Sequence, residues 1–410
     1  MPEFLTLKPP QDALAELFQH LELDLETETV PVEQALGRVL ARDVTAPFPM
    51  PSFRRSTVDG YAVRAADTYG ASESLPAYLP LVGEVPMGAA PDFGLATVGC
   101  AVIHTGGMLP EGADAVMMIE YTQQARPEEV ELFRSVAVGE NVLEIGEDVS
   151  EDEVVIPTGR LVRPAEIGGM AALGLTEIIV FRRPKVGILS SGDEVIPPGS
   201  KISPGEVYDI NSFTLQALVQ QAGGEAVLYG ISTDDRETMA ALVAKAHAEC
   251  DLVVVTAGSS ASVRDLTAEV IDALGSPGVL VHGVNVRPGK PTILGVCDGK
   301  PVIGLPGNPV SALVIADLFV SPLVRRMAGL AGSHMNGSVQ AELKVNLSSQ
   351  AGREDWIAVR LVEENGKLFA DPVFGKSNLI FTLVRADGLV KIPADANGLA
   401  AGTKVKVWDL

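Results

Sequence analysis

The strongest constraint on the fold is a change of pattern at residue 185. From there, apolar runs of strand length alternate with segments of helical periodicity. PKVGILSS is followed by NSFTLQALVQQAG, EAVLYGIS by RETMAALVAKAHAE, and DLVVVTAG by DLTAEVIDALG. GVLVHGVNV, PTILGVC and KPVIGLPG come next, and then a long apolar helical stretch, SALVIADLFVSPLVRRMAGL. Successive side chains of a strand point to opposite faces, so a continuously apolar strand is buried on both. The pattern predicts a doubly wound, mainly parallel sheet with helices outside it.

The flanks read differently. Residues 11–21 have helical spacing, with Leu14, Leu17, Phe18 and Leu21 on one face. A second short helix is predicted from Val32 to Leu40, with Pro31 near its start. APFPMPSFRRS can be neither regular helix nor central strand. Residues 57–145 read as short strands between Gly and Pro, a small β-rich domain. Residues 153–180 read as a hairpin, a helix from Pro164 to Leu173 and a strand, EIIVF. After Leu330 alternating strands return and predict a small β-barrel or sandwich. The predicted class is therefore multidomain α/β plus β: a doubly wound α/β domain, a small β-rich domain, a connecting α+β domain and a C-terminal β-barrel-like domain.

Composition excludes several functions. At 410 residues the chain is too long for one ordinary core. Its formal charge is −22 and aromatics are 5%, which leaves neither a phosphate-neutralising surface nor stacking platforms for nucleic acid. Cys100, Cys250 and Cys297 form no CxxC, so neither a disulfide framework nor a cysteine zinc site is expected. His20, His104, His247, His282 and His334 share no metal spacing. There is no signal-peptide pattern and no uncharged run of membrane length, so a cytoplasmic protein without membrane contact is expected. Walker A, G-x-G-x-x-G and G-x-S-x-G are all missing.

In an open α/β sheet, ligands bind beyond the carboxyl ends of the strands. The segments after the apolar runs are SSGDEV (Ser191, Gly192, Asp193, Glu194), ISTDDR (Asp234, Asp235) and TAGSSASVRD (Gly258, Ser259, Asp265). RPGKP (Arg287, Lys290) and LPGNPVS (Pro306, Gly307, Asn308, Pro309, Ser311) complete the set. All five are expected on one edge of the sheet. Small residues let backbone N–H groups approach an anion, and a helix start adds a favourable dipole. Arg287 and Lys290 add full charge. Glu194, Asp234 and Asp265 offer hard oxygen ligands suited to Mg²⁺ rather than zinc. Together these describe a site for a nucleotide or phosphate substrate with a divalent cation. Taken singly, each segment could be an ordinary turn, and Asp235 reads as a helix cap. Asp59, in STVDGYAVRAAD, and Asp148, in IGEDVSEDE, read by themselves as turn residues.

Taken together, the motifs resemble the molybdopterin molybdenumtransferase family (MoeA; the gephyrin E domain in animals). The resemblance rests on S-T-V-D-G-Y-A-V at 56–63, H-T-G-G at 104–107 and G-E-D-V at 146–149. It continues with S-G-D-E at 191–194, R-P-G-K-P at 287–291 and G-L-P-G-N-P-V-S at 304–311. It implies four domains and an elongated homodimer. The expected divisions are 1–26, a helix packing on the α/β domain; 27–56 with 146–182, connecting; 57–145, β-rich; 183–330, α/β; and 331–410, C-terminal. It implies insertion of molybdate into adenylylated molybdopterin with release of AMP and a requirement for Mg²⁺. Asp59, Thr105, Asp148, Glu194, Asp234, Asp265, Lys290, Pro306 and Pro309 carry over as site residues. Asp59, Thr105 and Asp148 would close the cleft from the partner subunit. The upstream adenylyltransferase and recipient molybdoenzymes are the implied protein partners. Two departures stand out: T-A-G-S-S-A-S-V-R-D has fewer glycines than many members, and Arg287 stands where many have Lys. A tungstate-specific paralogue and a non-catalytic scaffold on the same fold are the alternatives. A pterin adenylyltransferase is opposed by the extra β domains.

Overall fold

The computed structural model describes residues 7–95, 97–257, 261–330 and 337–409. The chain forms two compact units. One comprises Met1–Ala41, Gly159–Arg163 and Glu177–Leu410, the other Arg42–Thr158 and Pro164–Thr176.

The first unit is built on a six-stranded sheet. Its order is Glu225–Ser232, Lys185–Ser191, Leu252–Ala257, Lys300–Pro306, Ile293–Cys297 and Pro277–His282. The first three pairings are parallel and the last two antiparallel. Alternation along the strands feeds two cores. Val186, Ile188, Leu252, Val254, Ile303 and Leu305 join one cluster, and Leu189, Val253, Val255 and Val302 the other. Burial on both faces is what the continuous apolar runs predicted. The antiparallel margin arises at Asp298 and Gly299, whose φ values of 48° and 81° make the two-residue turn between paired Cys297 and Lys300. Two reversals restore direction. Ser190 therefore lies beside Thr256, Thr256 beside Leu305, Gly304 beside Ile293 and Ile293 beside His282. The five polar segments leave or enter the sheet at this one edge.

The helices follow the expected spacing. Asn211–Gln221 and Arg236–Glu249 form as read, while the next helix starts earlier, at Ala261, and runs to Asp272. The last apolar stretch is not one uniform helix. Pro309–Ile315 gives way to a π turn, Ala316–Val320, before Ser321–Met327. Pro322 has no N–H to offer the preceding turn, and the wider turn accommodates that loss. The N-terminal helix Pro10–Gln19 buries Ala13 and Leu17 in the same core as Val186 and Ile188. Full burial of Leu17 contributes about 1.5–3 kcal/mol.

The predicted helix from Val32 to Leu40 does not form. Only Val32–Gln34 makes a short 3₁₀ turn. Gly37 has φ 73°, and Val39 and Leu40 instead bridge to Leu161 and Val180. Burial of Leu40 against the strand Glu177–Phe181 overrides its local helical spacing.

The C-terminal strands close into a barrel, which decides between barrel and sandwich. Glu354–Glu364 pairs with Lys367–Pro372, which is followed by Ser338–Leu343, Lys404–Trp408 and Gly388–Ile392, and the last pairs back to the first. Val286–Arg287 pairs in parallel with Glu354 and Asp355, joining the RPGKP segment to the barrel's first strand.

The second unit carries a six-stranded sheet ordered Ala115–Met118, Gly60–Val63, Cys100–Ile103, Ala77–Glu84, Glu129–Leu132 and Thr122–Arg126. Gly60 is required, because a Cβ there would lie 1.9 Å from the Met117 carbonyl oxygen. The predicted hairpin near residue 153 is instead a long-range pair, Val154–Ile156 with Val44–Thr45. The helix Pro164–Ala172 forms as expected. Among the described residues no helix is long and apolar enough to cross a membrane.

Candidate functional site

The sheet edge of the first unit gathers acidic, basic and small residues. Beneath it lies a buried hydroxyl network. Thr256 Oγ1 donates to Ser190 Oγ at 3.2 Å, and Ser190 donates to Asp209 Oδ1 at 2.9 Å. The Ser212 backbone N–H also donates to Asp209, at 3.1 Å. This network fixes the strand end from which the S-G-D-E turn departs.

The acidic group comes from two adjacent strand ends. Gly192 has φ 142°, and a Cβ there would lie 2.9 Å from Glu194 Oε2, so glycine makes room for that carboxylate. The Asp234 backbone N–H donates to Asp193 Oδ1 at 3.1 Å, which ties the two turns together. Among the described residues Asp234 Oδ1 is buried without a hydrogen-bond partner. Desolvation first, then the negative charges of Asp193 and Glu194, raise the Asp234 pKa. Ser191 Oγ is likewise buried with no partner among the described residues. Asp235 faces away from this role. It caps the helix Arg236–Glu249, accepting from Thr238 N and Oγ1 at 2.9 Å each, as its place in the sequence suggested.

The basic group comes from R-P-G-K-P. Lys290 is exposed, and among the described residues no carboxylate lies within ion-pair distance of it. Its backbone is held by the Val284 N–H, which donates to the Lys290 carbonyl at 2.9 Å. Gly289 has φ 110° and packs so closely on the helix Pro309–Ile315 that a Cβ would lie 2.2 Å from Ile315 Cγ1. Arg287 Nη1 lies 3.7 Å from Asp355 Oδ2 of the barrel.

The P-G-N-P turn is gripped from two sides. Asn211 Nδ2 donates to the Gly307 carbonyl at 2.9 Å, and Asn308 Nδ2 donates to Ser377 Oγ at 3.1 Å. The Val310 N–H donates to the Ser377 carbonyl at 3.0 Å. Pro306, Pro309 and Ser311 are buried, while Gly307 and Asn308 are half-buried. Pro309 opens the helix, where a missing N–H costs nothing.

Not every predicted residue is placed in this group. Gly258 and Ser259 lie outside the described residues. Asp265 is not in the loop before its helix: the helix begins at Ala261, so Asp265 sits on an exposed turn inside it. In the second unit, Asp59 and Thr105 are brought together. Thr105 donates to Asp59 Oδ1 from its backbone N–H at 2.8 Å and from Oγ1 at 3.2 Å. The backbone donor is the main cause of a lowered Asp59 pKa. His104 joins them, with Nδ1 3.7 Å from Asp59 and Nε2 3.2 Å from Glu84 Oε1. Asp148 is exposed in a separate turn, its backbone N–H donating to the Met50 carbonyl at 3.0 Å. Among the described residues it shares no hydrogen bond with Asp59.

Sequence reasoning missed Asn211, Arg353, Asp355 and Ser377. Asn211 could have been sought beside the strand end, since it starts the helix after the first strand. The other three sit on the barrel, and nothing local in GREDW or KSNLI ties them to this edge. The chemistry of the donor set suits Mg²⁺. Among the described residues no three His, Cys, Asp or Glu side chains converge to cage a metal. Mg²⁺ needs no such cage, because it keeps waters and takes one or two carboxylates with substrate phosphates. The orphaned Asp234 oxygen beside two further carboxylates fits that use.

Comparison with known proteins agrees along the chain. Residues 8–174 match the MoeA N-terminal region (domain I and II), 187–326 a probable molybdopterin binding domain, and 340–410 the MoeA C-terminal region (domain IV). Molybdopterin molybdenumtransferase 2 of Mycobacterium tuberculosis is 35% identical over 93% of this chain and 95% of its own length. Molybdopterin molybdenumtransferase of Nostoc is 31% identical over 96% of this chain and 91% of its own. A crystal structure of a molybdopterin biosynthesis MoeA protein from Pyrococcus horikoshii superposes with a TM-score of 0.85 at 33% identity, over 99% of this chain and 100% of that one. With the sheet-edge geometry and this near full-length similarity in hand, the chain belongs to the MoeA family of molybdopterin molybdenumtransferases, enzymes of molybdenum cofactor biosynthesis.

Proposed function

We propose that the chain inserts molybdate into adenylylated molybdopterin and releases AMP, with Mg²⁺ present. The observation that carries this reading is the sheet edge. It sets an exposed lysine, an exposed arginine and small-residue turns along the same edge as a carboxylate group whose Asp234 oxygen has no hydrogen-bond partner among the described residues. A tetrahedral oxyanion and a phosphoanhydride need the first set; a divalent cation needs the second.

In this reading Arg287, Lys290 and Ser311 hold molybdate or phosphate oxygens. Pro306, Gly307, Asn308 and Pro309 shape the turn that admits them, and Ser191 and Gly192 line the neighbouring turn; Gly258 and Ser259, outside the described residues, are assigned the same substrate-binding role. Glu194 and Asp234 would hold Mg²⁺, which when bound neutralises phosphate charge; Asp265, on an exposed turn inside its helix, is not placed with them. The metal-binding sulfurs belong to the pterin, so no reactive cysteine is required. Cys100, Cys250 and Cys297 are indeed buried, and burial pushes the Cys100 thiol up to about 12.

Asp59, Thr105 and Asp148 belong to the same proposal as groups supplied by a second copy in a homodimer. Light scattering at a one-chain mass would remove that part. The central test is an insertion assay with purified chain, adenylylated molybdopterin, molybdate and Mg²⁺. AMP release coupled to molybdate uptake is expected. Its absence would sink the proposal and favour a scaffold role, and turnover with tungstate alone would mark the tungstate-specific paralogue.

A further inference from the structure

Asp355 lies in the barrel strand Glu354–Glu364 with a side chain only 1% exposed. Arg353 Nε donates to its Oδ1 at 2.8 Å, and Arg353 Nη2 lies 3.5 Å from Oδ2. Arg287 Nη1 lies 3.7 Å from the same Oδ2. A buried carboxylate needs one cationic partner to offset its desolvation. Here it has two, and they repel each other. The carboxylate between them keeps them together.

This arrangement leaves capacity unused. The three groups sum to one net positive charge. The Arg287 side chain is 64% exposed and that of Arg353 31% exposed. A guanidinium has five N–H donors, and only one edge of each fork can face Asp355. The remaining donors suit a second, exchangeable anion. A tie between barrel and sheet does not require the carboxylate. The parallel pairing of Val286–Arg287 with Glu354 and Asp355, and the Glu354 N–H donating to the Asn285 carbonyl at 3.0 Å, already supply it.

We infer that Asp355 is a positioning residue of the oxyanion site: it holds the Arg287 and Arg353 guanidiniums together so that their outer donors meet one anion. The inference rests on the oxyanion reading of Arg287 and Lys290. Removing the Asp355 charge makes the cluster more positive but lets the two guanidiniums separate. Positioning and simple charge therefore predict opposite signs.

The test uses the full chain with Asp355→Asn, Asp355→Glu and Arg353→Lys. Molybdate dependence is measured in the insertion assay, and molybdate binding without turnover by calorimetry. Asp355→Asn should raise the KM for molybdate at least tenfold and weaken calorimetric binding in step, while kcat at saturating molybdate falls less than threefold. Asp355→Glu should recover most of the affinity. If Asp355→Asn fails to fold, Arg353→Lys, which keeps the charge and loses the fork, should still raise the KM. An unchanged KM with a lower melting temperature, or a lowered KM, overturns the inference. Lys290→Ala separates the two levels. If it too leaves molybdate dependence unchanged, the oxyanion reading itself fails; if it weakens molybdate while the Asp355 and Arg353 variants do not, only the positioning role falls.

Discussion

Replacing Lys290 by Ala isolates the chemical role of one charge. Its ammonium is exposed and has no carboxylate within ion-pair distance among the described residues, so the fold gains little from it. Such surface replacements change stability by about 0.5 kcal/mol or less, and the melting temperature should move by less than about 2 °C. The turn persists because the Lys290 backbone carbonyl, not its side chain, accepts from the Val284 N–H. The cost should appear on the substrate side. A hydrogen bond to a charged group contributes about 1.5–3 kcal/mol, and each 1.36 kcal/mol is a decade. The kcat/KM for molybdate should therefore fall roughly 10- to 150-fold. Lys290→Arg, which keeps charge but changes shape, should recover part of it. Steady-state AMP release against molybdate concentration, run beside thermal melts, reads both. An unchanged molybdate dependence, or a large fall in melting temperature, would refute the reasoning.

Three further outcomes follow from the geometry. Asp234 has a raised pKa in the folded chain, so its burden on stability grows as pH rises through that pKa and vanishes in acid. Asp234→Asn should then melt higher than the parent at pH 7.5, by on the order of 0.5 kcal/mol, with no gain in acid and with insertion activity lost; a lower melt at pH 7.5 would contradict the assignment. Thr105→Val removes one of two donors to Asp59, so the lowered Asp59 pKa should rise in a carboxyl NMR titration while staying lowered by the remaining backbone donor; no rise would mean that the hydroxyl does not act on it. Gly289→Ala places a Cβ against Ile315 at φ 110°, and should cost about 1–3 kcal/mol in melts and weaken molybdate by displacing Lys290; a neutral melt would show that the turn adapts.

Periodicity and spacing sufficed wherever one short stretch carried the whole cause. The apolar runs from Lys185 onward required burial on both faces, and the two cores on either side of the sheet are that burial. Asp235, placed just before the helical run RETMAALVAKAHAE, was enough to locate a helix cap. The polar residues after each strand could be assigned to one edge, because a sheet presents its carboxyl ends together. Other features were settled only by distant contacts. Leu40 left its helical pattern because Val180, far along the chain, offered it a strand to bridge. Asp265 left the rim because its helix began a turn early. Ser377 and Asp355 reached the site only because a closed barrel returned their strands and loops to P-G-N-P and Arg287. Local pattern reports which faces of a segment avoid water; it carries no record of which remote segment will meet them, and only packing in three dimensions supplies that.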